Sequence, residues 1–417
     1  MQRLKVGGQF SGVGAFDQAL KRLGIESDNI YQAEWDKYAR QTYLLNFEKP
    51  KYYVNDVYDT PIEEITDKYG SLDLAMFSPP CQSFSIAGKR EGESSDKGIL
   101  FYSSLEFITK NKPKTFIFEN VQGLLSDNKK ITFQNWCALL GGKSINGNAN
   151  LFSYNNSVPY HIYWQVLNAK DYNIPQNRER VFIVGIRDDS DNKYQFPKKE
   201  RLTKKLKDIL EENVDSKYYL SEKMLEKITF ETKNNGEVAN LNKGGERGSV
   251  YSENTDTISC LTATDYKQPK QIQVGTWRTH KDGQGFRKTE DNNCPTIAAR
   301  AREDGSGQVV LKITTNNEKG FDILTENDSL NYSNPNSKTR RGRIGKGVAQ
   351  TLDTGCQQAV INNSKIRRLT PLECFRAMDF NEDFKWNVSP SQAYKQAGNS
   401  ICVGVLAKII QNLPIFN

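Results

Sequence analysis

The first 190 residues alternate short apolar runs with stretches whose apolar positions recur at helical spacing. The runs predict strands at Lys5–Phe10, Tyr31–Glu34, Tyr52–Val54, Leu72–Phe77, Thr115–Glu119, Tyr163–Leu167 and Arg180–Gly185. The amphipathic stretches predict helices at Ala15–Leu23, Lys37–Asn46, Pro61–Lys68, Phe101–Asn111 and Ile131–Leu140. Strand–helix alternation of this kind predicts an α/β domain with a mostly parallel sheet covered by helices. A doubly wound sheet holds its ligand outside the carboxyl ends of its strands. Residues at those ends are therefore the candidates for chemistry.

The texture changes near Asp188, where Asn, Gly, Thr, Lys and Arg become frequent. Helical periodicity persists there only at Lys204–Glu212 and Ser221–Ile228. Residues 243–361 carry a weak repeat of glycine turn, short strand, loop and short strand. Its copies run from Gly244 to Ile272, from Gly285 to Val310 and from Arg341 to Ile361. The repeat predicts a small β-rich domain; coincidental hairpins are the alternative. Helical patterns return at Thr370–Met378 and from Asn399 to about Leu413, so the C-terminus is expected to rejoin the first domain. The expected division is 1–187, 188–366 and 367–417, and 417 residues suit one large domain plus a smaller one.

Composition narrows the function class. Lys and Arg outnumber Asp and Glu by 57 to 50, which permits a polyanionic partner without requiring one. Seven cysteines without paired spacing argue against a disulfide framework. Only two histidines occur, His161 and His280, far apart, which argues against a His-rich metal site and against a Ser-His-Asp triad. Nucleophilic chemistry would fall to a cysteine. No apolar run reaches transmembrane length, and Met1–Gly7 lacks a signal-peptide stretch, so a soluble, cytoplasmic protein is expected.

Five strand ends carry candidate groups. Phe10-Ser11-Gly12-Val13-Gly14 follows the first strand, where glycines permit a tight turn and close backbone approach to a ligand. Asp17 stands where a dinucleotide fingerprint would have its third glycine. Glu34 at the second strand end is placed to accept ribose hydroxyls, and Trp35 could stack on an adenine ring. Asp56 follows the third strand; a helix cap is the plain reading for such an Asp. Phe77-Ser78-Pro79-Pro80-Cys81-Gln82-Ser83-Phe84-Ser85 stops the fourth strand with two prolines and a cysteine. A thiol in that position can act as a nucleophile, whereas Cys137, Cys374 and Cys402 read as buried and inert. Glu119-Asn120-Val121 ends the fifth strand, and Gln176-Asn177-Arg178-Glu179-Arg180 precedes the last. That carboxyl could act as an acid or donor, and those arginines could bind a carboxylate, carbonyl or phosphate; surface ion pairs are the alternative.

In order, these motifs resemble the DNA (cytosine-5)-methyltransferases of bacteria and their phages. The resemblance is completed by Arg368-Leu369-Thr370-Pro371-x-Glu373 and Gln396-Ala397-Gly398-Asn399-Ser400. It implies a Rossmann-like methyltransferase domain using S-adenosylmethionine, plus a smaller target-recognition domain over 188–366. By resemblance, Cys81 adds to C6 of a flipped-out cytosine, Glu119 contacts N3 and the exocyclic amine, and Arg180 contacts O2 with Arg178 nearby. Phe10, Gly12, Gly14, Glu34, Trp35, Asp56, Pro80 and Asn399 would line the cofactor pocket. Gln82 and Ser85, in the loop Gln82–Gly98, would meet DNA. The basic run Lys338, Arg340, Arg341, Arg343 and Lys346 is the candidate for phosphate or base contact, with a solvated loop as the alternative.

The implied partner is double-stranded DNA and the implied form a monomer, without metal. The implied role is restriction–modification beside a separate endonuclease, or phage self-protection. Two departures from the family pattern are the glycine-bearing first strand Lys5-Val6-Gly7-Gly8-Gln9 and Ala15 in place of a common glycine. The competing readings are an RNA cytosine-5 methyltransferase, a catalytically silent DNA-binding relative and a nicotinamide oxidoreductase. The long repetitive segment favours DNA over RNA. Cys81, Glu119 and Arg180 together argue against a silent protein.

Overall fold

Two adjacent glycines decide how the first strand packs. In β1 (Leu4–Gln9), a Cβ on Gly7 would lie 2.7 Å from the Tyr31 carbonyl oxygen, and one on Gly8 would lie 2.4 Å from that of Met76. No side chain fits at either position, so the weak apolar character of β1 reflects close strand packing. β1 lies inside the sheet, between β2 and β4. The structure, a computed structural model, describes residues 3–80, 100–151, 154–190, 193–220, 310–317, 321–325, 327–335, 337, 342–362 and 365–416, with strand pairs at 239–240, 249–250, 276–277 and 286–287.

The first half supplies α1 (Ala15–Arg22), β2 (Ser27–Ala33), α2 (Lys37–Asn46), β3 (Tyr52–Val54), α3 (Ile62–Tyr69) and β4 (Leu74–Phe77). It continues with α4 (Leu100–Asn111), β5 (Thr115–Val121), α5 (Ile131–Leu140), β6 (Ser144–Ile145), β7 (Asn148–Ala149), β8 (Tyr160–Asn168), β9 (Gln176–Asn177) and β10 (Glu179–Arg187). The sheet order is β3-β2-β1-β4-β5-β10-β8-β6-β7. Pairings from β3 to β5 are parallel, and β10 runs antiparallel to both β5 and β8. The chain moves outward from β1 to β3 and then returns to β4 on the other side of β1. That reversal opens a crevice beyond the ends of β1 and β4. Each strand expected up to β10 is present, although β4 starts later than the apolar run suggested, and β10 makes the sheet mixed.

An aromatic core lies against this sheet. Phe101 stacks on Trp136 with centroids 3.9 Å apart, and Tyr31, Phe77, Phe107, Phe116 and Phe118 are buried around them. The C-terminal helices are α6 (Pro371–Ala377), α7 (Pro390–Asn399) and α8 (Val403–Gln411), with α8 packed on α1. Ser389 caps α7 and Pro390 opens it.

Compactness divides the chain into Met1–Lys204 with Cys374–Asn417, and Lys205–Glu373. The junction at 204/205 lies beyond the change of texture at Asp188. Residues 193–204 are held to the first unit by Lys199 paired with Asp171 at 2.8 Å, by the Thr203 and Lys204 N–H groups donating to Asn173 Oδ1, and by Tyr194 against Tyr163. In the second unit, Ser329–Asn331 is flanked by Arg343–Gly345 and Gln358–Asn362, and Lys365–Arg368 pairs outside the latter, all antiparallel. A hairpin of Val310–Thr314 with Phe321–Thr325 adds Ile313 and Leu324 to a core containing Leu330, Ala359 and Ile361.

The helix expected at Lys204–Glu212 is a single 3-10 turn, Leu206–Ile209. One turn buries both Leu206 and Ile209, and the backbone is extended again at Leu210, after which the Glu211 N–H donates to Glu373. Ser221–Ile228 lies outside the described residues, as do most positions of the first two repeat copies; the third is described from Gly342 onward and supplies the strands Arg343–Gly345 and Gln358–Asn362.

Candidate active site

The crevice holds a cavity of about 500 Å³, built by the ends of β1 to β5, the approach to β10 and the C-terminal half of α7. Its first wall is the glycine loop. Phe10 follows β1 at φ 62°, a left-handed conformation costing a non-glycine residue about 1–3 kcal/mol. Gly12 has φ 56° with open space where a Cβ would stand, so its backbone is bare toward the cavity. Gly14 serves packing instead. It sits at φ 91° before α1, and a Cβ there would lie 2.4 Å from the Phe47 ring. Gly14 does not line the cavity, unlike the other residues assigned to cofactor binding.

Glu34 joins two walls. Its Oε2 accepts the Gly12 N–H at 2.7 Å and its Oε1 accepts the Asp36 N–H at 2.8 Å. Burial pushes this carboxyl above its ordinary range, and those two N–H donors oppose the shift. Each oxygen keeps a lone pair for a further donor. Trp35 is 77% exposed beside it, an indole open to stacking. Asp56 lines the cavity and also accepts the Tyr58 N–H at 3.1 Å, which caps the turn Val57–Asp59. These groups fit S-adenosylmethionine: a bare glycine backbone, carboxylates for ribose hydroxyls and an aromatic face for adenine.

The opposite wall belongs to β4, β5 and β10. Glu119 is 6% exposed. Its Oε1 faces Arg180 Nε at 3.0 Å and its Oε2 accepts the Ser78 hydroxyl at 2.9 Å. Asn120 donates to the Pro79 carbonyl at 3.3 Å, which holds the Pro79-Pro80 turn against β5. Cys81 follows that turn directly in the chain. Cys81, Gln82 and Ser85 lie outside the described residues.

Arg178 and Arg180 lie two residues apart and do different things. Arg178 lines the cavity but is 4% exposed, and its Nη2 donates to the carbonyls of Gly398 at 3.1 Å and Ser400 at 2.7 Å. Those carbonyls flank Asn399, whose exposed side reaches the cavity. Lys395 adds an ion pair with Asp36 at 2.6 Å at the same cavity. Ser78, Asp36 and Lys395 escaped sequence reasoning. Their place beside Pro79-Pro80, Trp35 and Gln396 was the available signal.

The remaining candidates separate clearly. Arg343 is exposed on a strand of the second unit; Arg340 and Arg341, with Lys338, are outside the described residues. Lys346 is engaged within its own unit, paired with Asp328 at 2.7 Å. Burial pushes the thiols of Cys137 and Cys402 up to about 12, which suits inert core residues. A Ser144–His161–Asp188 hydrogen-bonded string does exist, with distances of 2.9 Å and 2.8 Å. Its serine is buried and its carboxylate is half exposed beside Lys143, the reverse of a hydrolytic triad. None of the three lines the cavity, so the string fastens the sheet edge. Among the described residues no helix is long and apolar enough to cross a membrane.

Comparison with known proteins agrees with this geometry. The family model for C-5 cytosine-specific DNA methylase matches residues 4–414. The orphan methyltransferase M.SPRI of Bacillus phage SPR is 32% identical, with 99% of this chain and 98% of that protein covered. The type II methyltransferase M.HhaI of Haemophilus parahaemolyticus is 28% identical, covering 97% and 92%. A prophage-encoded DNA modification methyltransferase from E. coli shares the fold with a TM-score of 0.53 at 20% identity, covering 98% and 99%. The chain is a DNA (cytosine-5)-methyltransferase and belongs to the C-5 cytosine-specific DNA methylase family.

Proposed function

We infer that this enzyme methylates one cytosine within a short duplex DNA sequence, using S-adenosylmethionine, base flipping and a covalent bond to Cys81. The supporting observation is that one cavity is lined both by Gly12, Glu34, Trp35 and Asp56 and by Ser78, Pro80, Glu119 and Arg180. A cofactor half and a base half thus share one space. S-adenosylmethionine, when bound, supplies an electrophilic methyl group.

Cytosine C5 is a poor nucleophile. Addition of the Cys81 thiolate to C6 makes C5 enamine-like. Glu119 holds N3 and the exocyclic amine, and Arg180 holds O2, so charge developing on the ring is met by fixed groups. Loss of the C5 proton and expulsion of the thiolate after methylation restore the aromatic ring. The target atom is stacked inside a duplex, which requires flipping. Arg178 serves this site by holding the backbone on both sides of Asn399. The second unit, with Arg340, Arg341 and Arg343, is the proposed reader of target sequence, and Gln82 and Ser85 the proposed contacts of the loop. The proposed setting is a monomer acting for a phage or in restriction–modification, with any endonuclease separate. Bisulfite sequencing of plasmid DNA from cells expressing the chain tests the reading. Protected cytosines in one recurring context support it, and none, from soluble protein that binds S-adenosylmethionine, overturns it.

A further inference from the structure

We propose that Ser78 is a positioning residue for Glu119, and that its hydroxyl fixes the orientation of the carboxyl group that holds the base. The inference rests on the reading of Glu119 given above. Ser78 is the first residue after β4 and faces the same cavity. Phe77 pairs with Phe118 in parallel register, so Ser78 and Glu119 stand side by side on neighbouring strands. The 2.9 Å bond from Ser78 Oγ to Glu119 Oε2 follows from that register.

The two neighbours of the Glu119 carboxyl group differ in kind. Arg180 reaches Oε1 and can only donate. A serine hydroxyl can donate to a carboxylate or turn and accept from a carboxylic acid. Cytosine offers an acceptor at N3 and a donor at its exocyclic amine. A carboxyl group that meets both must give a proton to one and take a hydrogen bond from the other. Ser78 can follow that proton, whereas the guanidinium cannot. The same cavity is also lined by Glu34, Asp36, Asp56, Lys395 and Arg178, and the Cys402 thiol, pushed up to about 12 by burial, lies at the start of α8.

The test is a set of kcat and KM values on duplex DNA for the full chain, with Ser78→Ala, Ser78→Thr, Glu119→Gln and the double variant. Loss of the hydroxyl frees the carboxyl group to turn away from the base, so kcat falls about tenfold in Ser78→Ala while KM for S-adenosylmethionine is unchanged. Ser78→Thr restores kcat, and in a Glu119→Gln background Ser78→Ala adds little. If the alanine variant does not fold, Ser78→Gly removes the same hydroxyl without placing a methyl in the cavity. Full kcat in a folded Ser78→Ala or Ser78→Gly protein, or an equal loss from Ser78→Ala in the Glu119→Gln background, with Glu119→Gln still crippling, overturns the role of Ser78. Wild-type rates in Glu119→Gln overturn instead the assignment of Glu119 to the base.

Discussion

Replacing Glu373 by alanine leaves Arg367 charged in the core of the second unit. The two side chains are 0% and 2% exposed and meet in a bidentate pair at 2.7 Å and 2.8 Å. Glu373 also accepts the Thr370 N–H at 2.8 Å and the Glu211 N–H at 2.7 Å. Breaking a buried pair by removing one partner costs about 3–5 kcal/mol, because the other charge stays desolvated. Two orphaned backbone donors add to this, so about 4 kcal/mol is a conservative figure. The strands Gln358–Asn362 and Lys365–Arg368 are the ones that open when the pair is lost. Their amide hydrogen exchange in Glu373→Ala should accelerate about a thousandfold wherever exchange proceeds through that opening. The double variant Arg367→Met/Glu373→Leu removes both charges and should recover most of the protection. Acceleration below about tenfold in the single variant would refute the account. So would a double variant less protected than the single one.

Cys81→Ser should abolish methylation and leave DNA affinity largely intact, measured by methyl incorporation and fluorescence anisotropy; retained turnover would sink the covalent mechanism. Arg343→Ala should weaken DNA binding, lower the salt dependence by about one counterion and leave cofactor affinity unchanged. Loss of cofactor binding there would mean the second unit has a different role. Burial pushes the Asp17 carboxyl from 3.8 to about 7, against hydrogen bonds from Tyr43 and Asn29. The folded protein then holds this proton more tightly than the unfolded chain, so this group's stabilising contribution is lost as pH rises through that window. Asp17→Asn should flatten the fall in thermal stability between pH 4 and pH 7, as read from melts across about that range. An unaltered slope would show that Asp17 is not its source.

The alternating texture of the first 190 residues was legible because each apolar run meets a distinct neighbour in the sheet. The bounds of β3, α2 and α5 match the sequence reading residue for residue. Two features were missed although their signals were local. Asn146-Gly147, both at positive φ, makes the tight turn between β6 and β7. Ser389-Pro390 marks the start of α7. Other features had no local signal. That β10 runs antiparallel, and that residues 193–204 stay with the first unit, depend on tertiary partners far along the chain. The motif Arg368-Leu369-Thr370-Pro371-x-Glu373 carries no mark that Glu373 pairs with Arg367, the residue just before it.

The segment Gln176-Asn177-Arg178-Glu179-Arg180 shows why a motif can be recognised before its parts are understood. Side chains two apart on an extended chain share a face, so Gln176, Arg178 and Arg180 project together. Gln176 is fully buried and donates to the Ala377 carbonyl at 2.9 Å. Arg178 donates to the carbonyls of Gly398 and Ser400. Arg180 alone reaches the Glu119 carboxylate. Two of the three therefore fasten the C-terminal return to the sheet, and one serves the base side of the cavity. Asn399 reaches that cavity only because the return is fastened there. Spacing alone gives Arg178 and Arg180 the same standing. Their partners divide the work, since a guanidinium among main-chain carbonyls fixes a backbone and one against a carboxylate fixes a charge.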